Sequence, residues 1–201
     1  MDDSVLLFVT APLADHKLIN RFLLHLGDQQ RNGIDKVAHL VTARNAYALG
    51  DPPPQHNRMP EPTDVPVKAD LSNAWTGASI SDVEGWVRDV NHEDPPSMFL
   101  LLDDEGVQNR TVVFAEQRFD DETDELTKDY NKCRVPWADV YSMWCNLDIG
   151  NMGWEDFTDE DRGGDAEGWW IFGEDNADIL TDKEKEKLRE KIAKLEEQGL
   201  A

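Results

Sequence analysis

The chain opens with Val5 to Thr10 (VLLFVT), a segment of helical spacing, and then Val37 to Thr42 (VAHLVT). No other feature restricts the possible folds as tightly. A short continuous apolar run has the pattern of a strand buried on both faces. Between the two runs, Leu18, Ile19, Phe22, Leu23 and Leu26 recur at helical intervals, and Gly27 is placed to close the helix. Strand, helix and strand in this order form a βαβ unit, which pairs its strands in parallel and lays the helix on the sheet.

Further along, Ile80, Val83, Trp86, Val87 and Val90 restore helical spacing, with Ser81 and Glu84 in capping-box positions. Met98 to Leu102 (MFLLL) reads as a central strand, and Thr111 to Ala115 (TVVFA) as a strand returning after a polar loop. A helix is expected from about Ala138, carrying Val140, Tyr141 and Trp144, and Gly168 to Phe172 reads as a late strand. Trp169 and Trp170 are adjacent there, so their side chains face opposite ways and one of them is expected to leave the core. Thr181 to Gln198 forms a charged helix with Thr181 and Glu184 as capping box and Leu188, Ile192 and Leu195 as a narrow apolar stripe. An isolated helix of this kind is marginal, so docking on its own domain is expected.

The expected architecture is α/β: one two-layer or three-layer domain over residues 1–178, with a mostly parallel or mixed central sheet, followed by a C-terminal helix over 179–201. Two segments interrupt it. Residues 45–66 hold six prolines and read as an extended surface insertion, and residues 119–130 form an acidic loop.

Acidic residues number 42 against 20 basic ones, a formal charge of −22 that opposes approach to nucleic-acid phosphates and anionic lipid surfaces. No direct nucleic-acid or membrane partner is therefore expected. The start lacks the positive flank of a signal peptide, and no run has the length of a membrane helix. The expected location is cytoplasmic or nuclear, not secreted. Cys133 and Cys145 form no C-x-x-C pair, and the five histidines show no zinc-helix spacing. An EF-hand beginning at Asp159 fails because Gly163 and Trp170 stand where oxygen ligands are needed. Phosphate-loop and nucleophile-elbow signatures are also missing, so no metal, cofactor or catalytic residue is assigned.

The stretch from Val135-Pro136-Trp137 through Trp144-Cys145-Asn146-Leu147-Asp148-Ile149-Gly150-Asn151-Met152 to Trp154-Glu155-Asp156-Phe157 resembles domain-of-unknown-function family 6924 of bacterial and fungal proteins. The resemblance runs from Val5 to about Phe172. It implies a small α/β domain and brings no activity, so no functional residue carries over from it.

Three groups of residues could carry function. The bend from Trp144 to Trp154 holds Asn146 and Asn151 amides between two indoles. It reads either as a pocket wall or as a local turn in which the amides bond their own backbone. Asp103 and Asp104 follow a central strand directly. They read either as a carboxylate pair at the ligand crevice of an open sheet or as turn residues leading to the next strand. Glu155 and Asp156 begin a band reaching Asp182 with eleven acidic residues and only Arg162 opposing them. Such a band suits a basic protein surface or water. The leading expectation is a non-catalytic binding or adaptor module for a basic protein. The alternative is a small-molecule binder or enzyme whose pocket joins Asp103 and Asp104 to the Asn146–Trp154 bend.

Overall fold

The computed structural model describes residues 4–27, 36–45, 60–90, 96–120, 123, 125–173 and 181–201. Within the Pro-rich insertion, residues 46–59 lie outside the described residues. So do His56, His92, Asp121, Glu122, Asp124 and the acidic residues of 174–180.

Strand β1 (Val5–Val9) is buried along its whole length, as a continuous apolar run requires. Helix α1 (His16–Leu26) follows it, started by Asp15, whose carboxylate accepts the Leu18 N–H at 2.9 Å. Strand β2 (Ala38–Leu40) then pairs in parallel with β1, completing the expected βαβ unit. Helix α2 (Ile80–Val90) leads to β3 (Met98–Leu102), which pairs in parallel with the other side of β1. Next come a short helix α3 (Asp104–Asn109), β4 (Thr111–Asp120) and β5 (Glu125–Pro136). Helix α4 (Val140–Asp148), a 3-10 turn at Trp154–Phe157, β6 (Trp169–Trp170) and helix α5 (Asp182–Glu197) complete the chain.

The protein is thus α/β, with a six-stranded sheet in the order β2-β1-β3-β4-β5-β6. Only β4 runs against the others, being antiparallel to both β3 and β5. Two apolar cores lie on opposite faces. Val5, Leu7, Leu100 and Phe114 meet Phe22 of α1, Met143 and Trp144 of α4, and Trp154. Leu6, Phe8, Phe99 and Val113 meet Val83 and Val87 of α2 together with Trp75. Helix α5 packs on α1, with Leu188 buried.

Several expectations change in detail. Asp103 and Asp104 do not form a turn into the next strand. Asp103 caps α3, accepting the Gly106 N–H at 2.8 Å, and α3 intervenes before β4. Helix α2 is capped by Ser79 with Asp82, not by Ser81 with Glu84, because the Asp82 carboxylate returns to the Ser79 N–H and hydroxyl. The acidic loop is shorter than expected, since Glu125 already belongs to β5, a strand that the polar run from Glu125 to Lys132 concealed. Trp169 and Trp170 do face opposite ways, yet neither leaves the core, because each side of the sheet has its own: Trp170 packs on the α1/α4 side and Trp169 on the α2 side. The end of the Pro-rich insertion, in no helix or strand, is tied to the sheet. The Thr63 N–H donates to the Ala38 carbonyl at 2.8 Å, and its hydroxyl accepts the Leu40 N–H at 2.7 Å, so it covers the β2 edge.

Candidate functional site

Asp103 lies at the carboxyl end of β3, on the α2 side of the sheet, where Arg134 grips it with two hydrogen bonds of 3.0 and 2.6 Å. Burial pushes its carboxyl up, but the Arg134 guanidinium and the Gly106 N–H outweigh burial and hold it below the ordinary value. Asp104 is exposed in the first turn of α3. The bend after α4 packs on the opposite side. Trp144 and Trp154 are buried in the α1/α4 core, Asn146 Nδ2 donates to the Ser142 carbonyl at 2.8 Å, and Asn151 Nδ2 donates to Asn146 Oδ1 at 2.7 Å. These amides serve local backbone and each other. The strand end and the bend thus sit on opposite faces of one sheet, and no pocket joins them among the described residues. Glu155 and Asp156 are exposed, and Asp156 accepts the Gly153 N–H at 2.8 Å to start the 3-10 turn.

The structure brings together a different set. Strand β1 connects through α1 to β2 on one side and pairs with β3 on the other, which makes the carboxyl ends of β1 and β3 a topological switch point. In open α/β sheets the ligand crevice opens there. No strand end lines the main cleft, however: α1, the α3–β4 junction and α5 enclose one of about 700 Å³ lined by Asp15, Lys17, Arg21, His25, Arg110, Trp137 and Glu196, among others. Four cationic or imidazole side chains thus converge in a protein of charge −22.

Each arrives for a local reason. Lys17, Arg21 and His25 stand four residues apart and so share one side of α1. Arg110 ends α3 with φ 54°, the left-handed region that side chains with a Cβ rarely adopt. Its N–H caps the Gly106 carbonyl and its own carbonyl accepts the Trp137 N–H at 3.0 Å, so both neighbours hold that backbone in place. Glycine or asparagine is the usual occupant of such a cap. Arginine there keeps a cation over the cleft at a conformational cost.

The electrostatics leave charge uncompensated. Arg21 pairs with Glu196 at 2.6 Å, but Arg21 Nε and His25 Nδ1 are buried without a hydrogen-bond partner. No carboxylate pairs with Lys17 or Arg110 among the described residues. Burial first, and the nearby Arg110 charge second, push the His25 imidazole down to about 4, so it is neutral at pH 7. A second cleft of about 380 Å³ lies between α1, α5 and the β2 edge, with Lys36, Lys191 and Lys194 around an apolar floor. It borders the residues left undescribed after Gly27, and Lys36 is paired with Asp64. Lys194 there, like Lys17 and Arg110 in the first cleft, forms no ion pair among the described residues.

Residues 54–169, more than half of the chain, match the family described as domain of unknown function (DUF6924). The chain belongs to this family. The match starts well after Val5, so DUF6924 contributes Val107, Arg110 and Trp137 to the cleft, while Lys17, Arg21 and His25 of α1 and all of α5 lie outside it. No curated protein and no solved structure matches the chain. Reading the sequence missed all four cleft residues. The Lys17, Arg21, His25 spacing was the available signal, whereas Arg110 is marked only by its backbone conformation.

Proposed function

We propose that this protein is a non-catalytic binding module whose cleft between α1, the α3–β4 junction and α5 holds a small organic anion. The observation that carries this reading is Arg110, an arginine kept in a left-handed cap on the cleft and in no ion pair among the described residues, although Asp15 and Glu196 line the same cleft. Arg21 Nε and His25 Nδ1, on two residues that line the cleft, have no hydrogen-bond partner in the protein. Inorganic phosphate, citrate and octanoate, titrated calorimetrically, test it. At least one of them binds, and Arg110→Gln weakens that binding several-fold while leaving the fold intact. Equal binding by the variant, or no binding of any of the three, sinks the reading.

A second reading concerns the acidic face. Glu155, Glu160, Asp161 and Glu167 are all exposed on the segment that flanks the β6 edge, with Arg162 engaged by Asp159. These carboxylates suit a basic protein surface. The expected result is salt-sensitive binding of a lysine-rich peptide that disappears when the four become Gln or Asn. Retained binding in that variant removes this reading.

No step of either reading needs a cofactor. Among the described residues no helix is long and apolar enough to cross a membrane, and no cluster of three or more His, Cys, Asp or Glu could hold a metal ion.

A further inference from the structure

The cations of the cleft are spread along a line. From Lys17 to His25 the helix rises about 12 Å at 1.5 Å per residue. Arg110 sits at the far end of that row, close enough for its charge to depress the His25 imidazole. In the middle, Arg21 is already answered by Glu196 at 2.6 Å. Asp15, at the near end, turns its carboxylate to the Leu18 N–H. Asp15 keeps its negative charge at the near end, and the two cations that form no ion pair among the described residues stand apart, Lys17 at one end and Arg110 beside His25 at the other. Leu18, Val107 and Ile192 form apolar walls along the same cleft.

Resting on the anion-binding reading of this cleft, we propose that its ligand is an elongated dicarboxylate, with one carboxylate at Lys17 and the other between Arg110 and His25, joined by an apolar spacer. One cation at each end balances a singly charged group. A doubly charged phosphate at each end would add surplus negative charge to a chain already at −22. The spacer lies along the apolar walls, where burying its methylene groups adds affinity without further charge.

The test compares octanoate, adipate and sebacate by calorimetry on the full chain. Octanoate has one carboxylate, adipate has two that are too close to reach both ends, and sebacate spans the row. Sebacate binds up to about fivefold tighter than octanoate, the range of one exposed ion pair, and adipate shows no such gain. Lys17→Gln removes the advantage of sebacate over octanoate, whereas Arg110→Gln weakens both. Lys17 is exposed, so its replacement leaves folding undisturbed. Sebacate binding no tighter than octanoate, with octanoate still dependent on Arg110, overturns the dicarboxylate proposal and leaves the anion site standing. Failure of every carboxylate to bind overturns the dicarboxylate proposal, and failure of phosphate as well overturns both.

Discussion

At the scale of single residues, Arg110 sets conformation against charge. A left-handed residue with a Cβ costs about 1 kcal/mol or more relative to glycine. Replacing Arg110 with Gly is therefore expected to raise stability by about 1 kcal/mol in urea denaturation while weakening anion binding. A variant that loses stability contradicts the strain argument. Two buried titratable groups predict a pH dependence with opposing signs. The folded-state imidazole of His25 lies at about 4, below its ordinary 6.5. Between those values the unfolded chain binds the extra proton, so the His25 contribution is present above about 6.5 and is lost as pH falls toward 4. Glu116 behaves in reverse. Burial, with the Glu155 charge beside it, lifts its carboxyl from 4.5 to about 7, so its contribution is full below about 4.5 and is lost as pH rises through 7. Glu116→Gln should stabilise the protein at pH 8 and change little at pH 4, while His25→Gln should flatten the loss below pH 6. Parallel stability curves for wild type and both variants would contradict these assignments. None of this could be read from residue type, because burial and neighbours set both shifts.

At the scale of elements, α5 shows how a marginal helix is secured. Its capping box is the one that Thr181 and Glu184 announce, with the Glu184 carboxylate 2.7 Å from the Thr181 N–H. A cap and one buried leucine do not order a charged 16-residue helix by themselves. Asn20 of α1, wholly buried, supplies the missing tie. Its Nδ2 donates to the Leu200 carbonyl at 2.6 Å and its Oδ1 accepts the Val67 N–H at 2.7 Å, so one side chain joins α1, the segment after the prolines and the end of α5. Asn20→Leu would leave the buried Val67 N–H and the part-buried Leu200 carbonyl without these partners. A loss of about 2–4 kcal/mol is expected, with faster amide exchange in α5 than in β1 or β3. Uniform exchange across these elements would show that Asn20 has no special hold on the tail. The periodic elements α1, α2 and α5 were legible because each has one apolar stripe. Strand β5 was not, because six of its first eight residues are polar or charged and its pairing with β4 is decided by that partner strand.

At the scale of the whole molecule, the charge of −22 acts in opposite directions on folding and on ligand binding. Added sodium chloride screens repulsion among surface carboxylates and should raise the melting temperature, while it weakens an anion held by Lys17 and Arg110. A melting temperature that falls with salt would mean that surface ion pairs such as Arg189 with Glu186 outweigh the repulsion. The sequence by itself determined the α/β class, the parallel β1–α1–β2 unit, the capped tail helix and the family to which the chain belongs. Each of these rests on local periodicity, capping chemistry or a contiguous motif. Only the tertiary structure decided that the Asp103 strand end and the Asn146 bend lie on opposite faces of the sheet. It also decided that cations from α1 and the α3–β4 junction meet beneath α5. Those relations join residues tens of positions apart, and a linear pattern carries no information on which face of a shared sheet each one reaches.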